Sequence, residues 1–204
     1  MPGTMLFTMI IAFALSISVA VAIGIASLVG AWQADLNFLA VVKEMFGALN
    51  KFPLAAIPFF ILAGNLMESG GISARLVEFA KSIVGGIQGG LGATCVLTCM
   101  IFAAVSGSSV ATTFAIGAIL IPALIKHGYP TSYAAALQAT SAELGVVIPP
   151  SIPMILYGVS AEVSIGELFI AGVGPGLLIG VALMIFVIVY ARWKGYGKGD
   201  HEGR

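Results

Sequence analysis

Three observations predict an all-α membrane protein with transmembrane helices, one re-entrant helical hairpin and one proline-broken helix. Of the 204 residues, 59% are hydrophobic and 9% charged, whereas a water-facing domain carries about a quarter charged. Mean hydropathy is +1.08, and charge is absent from residues 1–34, 52–67, 82–125, 128–142, 144–161 and 168–191. Two of these runs contain residues that no plain helix accommodates: Ser106-Gly107-Ser108-Ser109 and Pro149-Pro150-Ser151-Ile152-Pro153. Nine acids balance nine bases, which removes the positive field that nucleic acid requires, so no nucleic-acid partner is expected. Cys95 and Cys99 lie one helical turn apart in an apolar run and read as small hydrophobes rather than disulfide or zinc ligands.

Taken in order, residues 5–31 are long enough for one crossing, which needs about 20 apolar residues. The run is too long for a signal-peptide core and lacks a basic lead, so it is expected to be retained, with the mature chain being the whole chain. Residues 36–50 carry Lys43 and Glu44 and suggest an interfacial segment. Residues 52–68 form a short span opened by Pro53 and Pro58. In 72–84, Ile72, Leu76, Phe79 and Ile83 share one helical face while Arg75, Glu78 and Lys81 share the other, predicting an amphipathic helix along the membrane surface. Gly70-Gly71, Gly85-Gly86 and Gly89-Gly90 punctuate its surroundings.

The run 82–125 holds 44 uncharged residues; as one helix it would reach about 66 Å, roughly twice the hydrocarbon thickness. It must turn, and Ser106–Ser109 is the turning point of a hairpin over 90–126. A tip that is polar yet uncharged suits a re-entrant hairpin ending inside protein, because irregular backbone at membrane depth survives only when buried or lining a wet cavity. Lys126-His127 marks a water boundary. Residues 131–160 form a second interrupted element, because Gly145, Pro149, Pro150 and Pro153 cannot continue a helical ladder. Such a break frees carbonyls that can bind a cation; the alternative is a proline kink patched by neighbouring hydroxyls.

Glu143 lies beside the break, between uncharged runs of 15 and 18 residues. An acid so placed implies either cation binding or proton coupling, or a structural acid held by Gln138, Thr140 or Ser141. Residues 168–191 form the last span and 192–204 a polar tail. Arg192, Lys194, Lys198 and Arg204 place that tail in the cytoplasm, with His201 solvated in it. Counting crossings back puts the hairpin's entrance and the N-terminus on the cytoplasmic side, and Lys43 and Lys51 outside.

Two discontinuous elements meeting near the midplane are what secondary transporters use for substrate and coupling ion. Ser106, Gly107, Ser108 and Ser109, with Gly145, Ile148, Pro149 and Ser151, offer hydroxyl and carbonyl oxygens to sodium. Ser108, Ser109 and Val110, at the start of the following helix whose free amides favour a carboxylate, are the expected substrate-binding residues together with Pro150. Sodium-coupled carriage of an organic anion follows, with no cofactor and no metal beyond sodium.

At these residues the chain also resembles a known family. The stretch from Phe52-Pro53-Leu54 through Ile57-Pro58-Phe59-Phe60 to Gly64, the Ser106–Ser109 tip followed by Ile121-Pro122-Ala123 and Gly128-Tyr129-Pro130, and Leu144 to Pro153 with Leu156-Tyr157-Gly158 closely resemble the large membrane subunit of tripartite ATP-independent periplasmic (TRAP) transporters. The resemblance runs from about residue 5 to Gly197. It implies an elevator-type carrier of two inverted repeats in the bacterial inner membrane, multi-pass. It further implies a small membrane subunit and a periplasmic substrate-binding protein as partners, and C4-dicarboxylates, sialic acid or similar acids as substrates. The family's subunit is about twice this length, so the chain is expected to match its N-terminal half and to require a C-terminal half as a further partner. Residues 106–109 and 145–151 correspond to the first of two cation-binding halves.

Other classes have less support. A serine protease needs a base within reach, and neither His127 nor His201 is expected at the depth of the tip; there is no Walker A loop for an ATP-driven pump. A channel-like or structural subunit without coupled transport is the alternative.

Overall fold

The computed structural model describes residues 2–197, entirely as helices and connecting turns among the described residues. Lys198, His201 and Arg204 lie outside them. The chain divides into two compact units, Met1–Phe52 and Pro53–Arg204, and each is described by itself.

The first unit contains α1 (Pro2–Ala14), α2 (Val19–Gln33) and α3 (Phe38–Leu49). The single 5–31 helix expected from the sequence is therefore two helices. They pair as a hairpin: a Cβ on Gly30 would lie 2.7 Å from the Met5 sulfur, and the Thr4 hydroxyl donates to Gln33 Oε1 at 2.6 Å. The reversal falls at 15–18, where Ser16 adopts a positive φ of 58°, and two serines bracket Ile17 there. Small residues Ala22, Ala26 and Gly30 recur at four-residue spacing and are buried, a stripe that lets two helices approach closely. No proline or charge marks this turn, so hydropathy alone reads through it. At 13 and 15 residues the helices are about 20 and 22 Å long, each short of a roughly 30 Å crossing. A hairpin also returns the chain to its starting side, so the parity counted through one crossing does not hold. Helix α3 occupies the expected interfacial segment; Asn37 caps it by accepting from the Leu39 amide at 2.9 Å, and none of its residues is buried.

The second unit opens with a 3-10 turn at Phe52–Ala55, followed by α4 (Ala56–Ser69), α5 (Ile72–Val84), α6 (Gly90–Ser106), α7 (Ser109–Lys126), α8 (Thr131–Ala142), α9 (Leu144–Val147), α10 (Ile152–Ala161) and α11 (Ile165–Lys194). Its centre is α6, in which 13 of 17 residues are buried. A helix apolar on every side belongs inside a bundle, and α6 packs against α5, α7, α8, α9 and α11. Phe102, Ile116, Leu120, Leu124, Val96 and Val187 are the large, fully enclosed side chains of this core. Helices α6 and α7 are the two arms of the expected hairpin.

Helix α5 forms over the expected residues, and the side it packs against the protein is the one with small side chains. Ser73, Val77 and Ala80 are buried, while Ile72, Phe79 and Ile83 are exposed. Small side chains let α5 lie close along the hairpin, with which it makes one of the closest helix pairings in the unit. It is docked on that arm through its small residues, and its larger apolar residues face outward.

Helix α11 is longer than the 168–191 span. Ser164 caps it by accepting from the Glu167 amide at 3.4 Å, the spacing of a capping box. Arg192 and Lys194 occupy its last turn, where cations oppose the negative end of the helix dipole. The first part of the expected polar tail is ordered: Gly195 takes φ 73° and the Tyr196 amide donates back to Ala191 at 2.9 Å. The Tyr196 ring then lies among Tyr129, Tyr133 and Tyr190, with centroids 5.7–6.4 Å away.

Among the described residues, four stretches are long and apolar enough to cross a membrane: Phe52–Ser69, Ser109–Lys126, Thr131–Ala161 and Ile165–Lys194.

Candidate functional site

The hairpin tip and the proline break meet in direct contact. The Ile152 amide donates to the Gly107 carbonyl at 3.0 Å. A Cβ on Gly107 would lie 2.7 Å from the Pro150 carbonyl oxygen, and one on Gly145 would lie 3.1 Å from both the Ser108 carbonyl carbon and the Ser109 nitrogen. Both positions are therefore glycine because backbone approaches backbone, and Gly107 also needs its left-handed φ of 62°.

Each interruption is built from its local sequence. At the tip, α6 ends when Gly107 turns left-handed and its amide bonds Ala103 O at 2.9 Å. Ser108 then caps α7, its hydroxyl accepting from the Ala111 amide at 3.3 Å. At the break, Pro149 and Pro150 supply no amides, so the Gly145 and Val146 carbonyls lose their ladder donors. The Ser151 hydroxyl replaces one of them, donating to Val146 O at 2.6 Å. It also accepts from the Met154 amide at 3.4 Å and so caps α10. The peptide between Pro149 and Pro150 is cis. Thus the carboxyl ends of α6 and α9 and the amino ends of α7 and α10 converge on one place.

Of the expected cation ligands, Ser106, Gly107, Gly145 and Ser151 are buried, and Ser108, Ser109, Ile148 and Pro149 are half-buried. Pro150, half-buried, touches the tip. The Val110 side chain is 64% exposed, while its backbone amide belongs to the first turn of α7. Glu143 is also exposed, although its neighbours Ala142, Leu144 and Gly145 are buried. The side chains proposed to hold it bond elsewhere: Gln138 to Cys95 and Thr112 O, Thr140 to Ala136 O. Ser141 Oγ is buried without a partner.

The donor set fits a small hard cation. Thr112 Oγ1 gives its hydrogen to Ser108 O at 2.7 Å, so the 3.4 Å contact with Ser106 Oγ has Ser106 as donor, leaving the Ser106 lone pairs unused by it. The Ser108 hydroxyl accepts one amide and retains a lone pair. The Gly145 carbonyl, whose ladder donor is missing at Pro149, is a further neutral oxygen of the kind hard cations take as ligands.

Three participants were not read from the sequence as site residues. Gly64 brings α4 to the tip, where an added Cβ would lie 3.3 Å from Ser106 Cβ. Thr112 is four residues beyond Ser108, the spacing that lets a hydroxyl reach back to a carbonyl one turn earlier. Gln138 is 26 residues from Thr112 in sequence, and only folding brings the two together.

Residues 4–203 match the family described as "Tripartite ATP-independent periplasmic transporter, DctM component". The isethionate TRAP transporter permease protein DctMQ of Oleidesulfovibrio alaskensis is 43% identical over 180 residues, 88% of this chain and 28% of that protein. The C4-dicarboxylate TRAP transporter large permease protein DctM of Pseudomonas aeruginosa is 47% identical over 151 residues, 74% of this chain and 35% of its own length. The sialic acid TRAP transporter large permease protein SiaM of Vibrio cholerae is 38% identical over 174 residues, 85% of this chain and 40% of that protein. The chain thus spans 28–40% of the length of these relatives. The family is one of membrane transporters rather than enzymes, which removes the protease reading, and with four membrane-length helices it makes the chain an integral membrane protein. The chain belongs to the DctM family of TRAP transporter large permeases.

Proposed function

We propose that this chain provides one half of the ion and substrate site of a sodium-driven carrier of small organic acids in the bacterial inner membrane. Sodium would lie among the oxygens of Ser106, Ser108, Ser109 and Gly145, with Ile148, Pro149 and Ser151 shaping the opposite wall. The substrate's carboxylate would approach the first-turn amides of Ser109 and Val110 on α7, beside Ser108 and Pro150. The observation that carries this reading is the 3.0 Å bond from Ile152 to Gly107, because it joins two broken helices at their polar ends.

Depth supports the same reading. Helix α11 runs antiparallel to α6: Gly89 meets Ala191, Gly92 meets Val187 and Gly180 meets Met100. The break meets α11 at Gly172 and Gly176, 15–19 residues before Ala191, or about 22–29 Å from the hairpin's base. Beyond that level α11 continues to Ile165, about 10–16 Å further. The tip thus stops well short of the bundle's far end, as a re-entrant hairpin does.

Relatives named for isethionate, C4-dicarboxylate and sialic acid share an anionic acid group and little else, which matches recognition of the acid by helix amides here. The remaining determinants lie with the other partners: the rest of the large subunit, carrying an inverted second repeat, the small membrane subunit and the periplasmic binding protein. The membrane subunits would work in the lipid bilayer by an elevator motion. Uptake of labelled acid into vesicles holding the complete assembly tests the proposal. A carrier saturates and follows the sodium gradient; uptake that is linear in substrate and indifferent to sodium would establish the channel-like alternative.

A further inference from the structure

We propose that Gln138 is a positioning residue for the cation site, holding the tip hydroxyls in register from the opposite side of α7. Gln138 is 1% exposed on α8. Its Oε1 accepts from the Cys95 thiol at 3.2 Å, and its Nε2 donates to the Thr112 carbonyl at 3.3 Å. One amide therefore ties the hairpin's first arm to the start of its second. The Thr112 side chain then fixes the tip by donating to Ser108 O at 2.7 Å and standing 3.4 Å from Ser106 Oγ. Gly117 makes room for this contact: a Cβ there would lie 3.2 Å from Gln138 Cγ. The amide's two polar ends meet two elements whose relative rotation decides where the serine oxygens point. A buried amide is costly unless satisfied, so this link resists any rotation of α7 that would break it.

The inference rests on the proposed sodium site, and its test separates the two. In the complete assembly, Gln138→Leu keeps the bulk of the side chain and removes both bonds. It is expected to raise the sodium concentration for half-maximal uptake about fivefold, with maximal uptake and the folded yield of extracted protein unchanged. Thr112→Val should produce a similar shift. Because Gln138 acts through Thr112, the double variant should shift no further than the larger single one. Independent, multiplying shifts would overturn the proposal, as would a Gln138→Leu protein with lowered maximal uptake and unaltered sodium response. If Gln138→Leu does not fold, Gly117→Ala presses on the same side chain and should move the sodium midpoint in the same direction, about twofold; an unmoved midpoint overturns the proposal. Ser108→Ala is the control. Should it shift sodium dependence while Gln138→Leu does not, the positioning role alone fails. Should Ser108→Ala leave sodium affinity unaltered, the cation site fails and the positioning role fails with it.

Discussion

The tip at Ser106–Ser109 and the break at 148–151 produce the same local geometry by opposite means. Ser108 has φ −135° and ψ 122°, and Ser151 has φ −131° and ψ 126°; each caps a helix by accepting from the amide three residues on. What precedes them differs. The tip ends its helix by conformational freedom at Gly107, whereas the break ends its helix by loss of donors at Pro149 and Pro150. The Ser151 hydroxyl is used twice, once to replace a missing donor and once as a cap, while Ser108 spends only an acceptor. In the proposed site, the oxygens left to hold an ion are those of the tip serines and the Gly145 carbonyl.

Substitutions that break this pairing should have the largest effect. Gly107→Ala forces a non-glycine residue to φ 62° and drives a Cβ to 2.7 Å from Pro150 O. With about 1–3 kcal/mol for the backbone conformation alone, it is expected to abolish sodium-driven uptake and to reduce folded yield, read by uptake and by size-exclusion of extracted protein. Gly145→Ala meets Ser108 and Ser109 backbone at 3.1 Å without a positive φ. Neighbours must yield by tenths of an ångström, and the sodium midpoint should rise about tenfold, measured by titrating uptake against sodium.

The two serines then separate structure from binding. Ser151→Ala removes a buried hydroxyl with two partners and should cost about 1–2 kcal/mol of stability, seen as a lower melting temperature without sodium. Ser108→Ala should change melting less but weaken sodium affinity more, by about threefold to tenfold; the reverse order would exchange the roles assigned to the two breaks. The smallest effect is expected at Glu143. Its side chain is exposed, so Glu143→Gln should leave the sodium midpoint within about twofold, and a larger rise in the same titration would show that the carboxylate reaches the ion.

Much of this was legible in the chain. The 44-residue uncharged run had to fold back, and Ser106–Ser109 was the densest group of small polar residues in it. Three prolines in five residues had to stop a helix. The turn at 15–18 was invisible because Ile17 and its flanking serines fit either a helix or a turn, and the closeness of Ala22, Ala26 and Gly30 to α1 favours the turn only once both helices exist. Helix α5 carries a contact face that hydropathy does not mark. Its apolar stripe of Ile72, Phe79 and Ile83 is exposed, and it docks through Ser73, Val77 and Ala80, because in a lipid setting burial follows fit.

Composition and chain punctuation determined that the protein is helical, membrane-bound and twice interrupted, because lost amides and uncharged length act locally whatever surrounds them. Only tertiary structure decided that the interruptions touch, that Gln138 bonds the Thr112 carbonyl, and that the Glu143 side chain is exposed. Those outcomes depend on how closely backbone surfaces fit, a property of pairs of segments far apart in sequence.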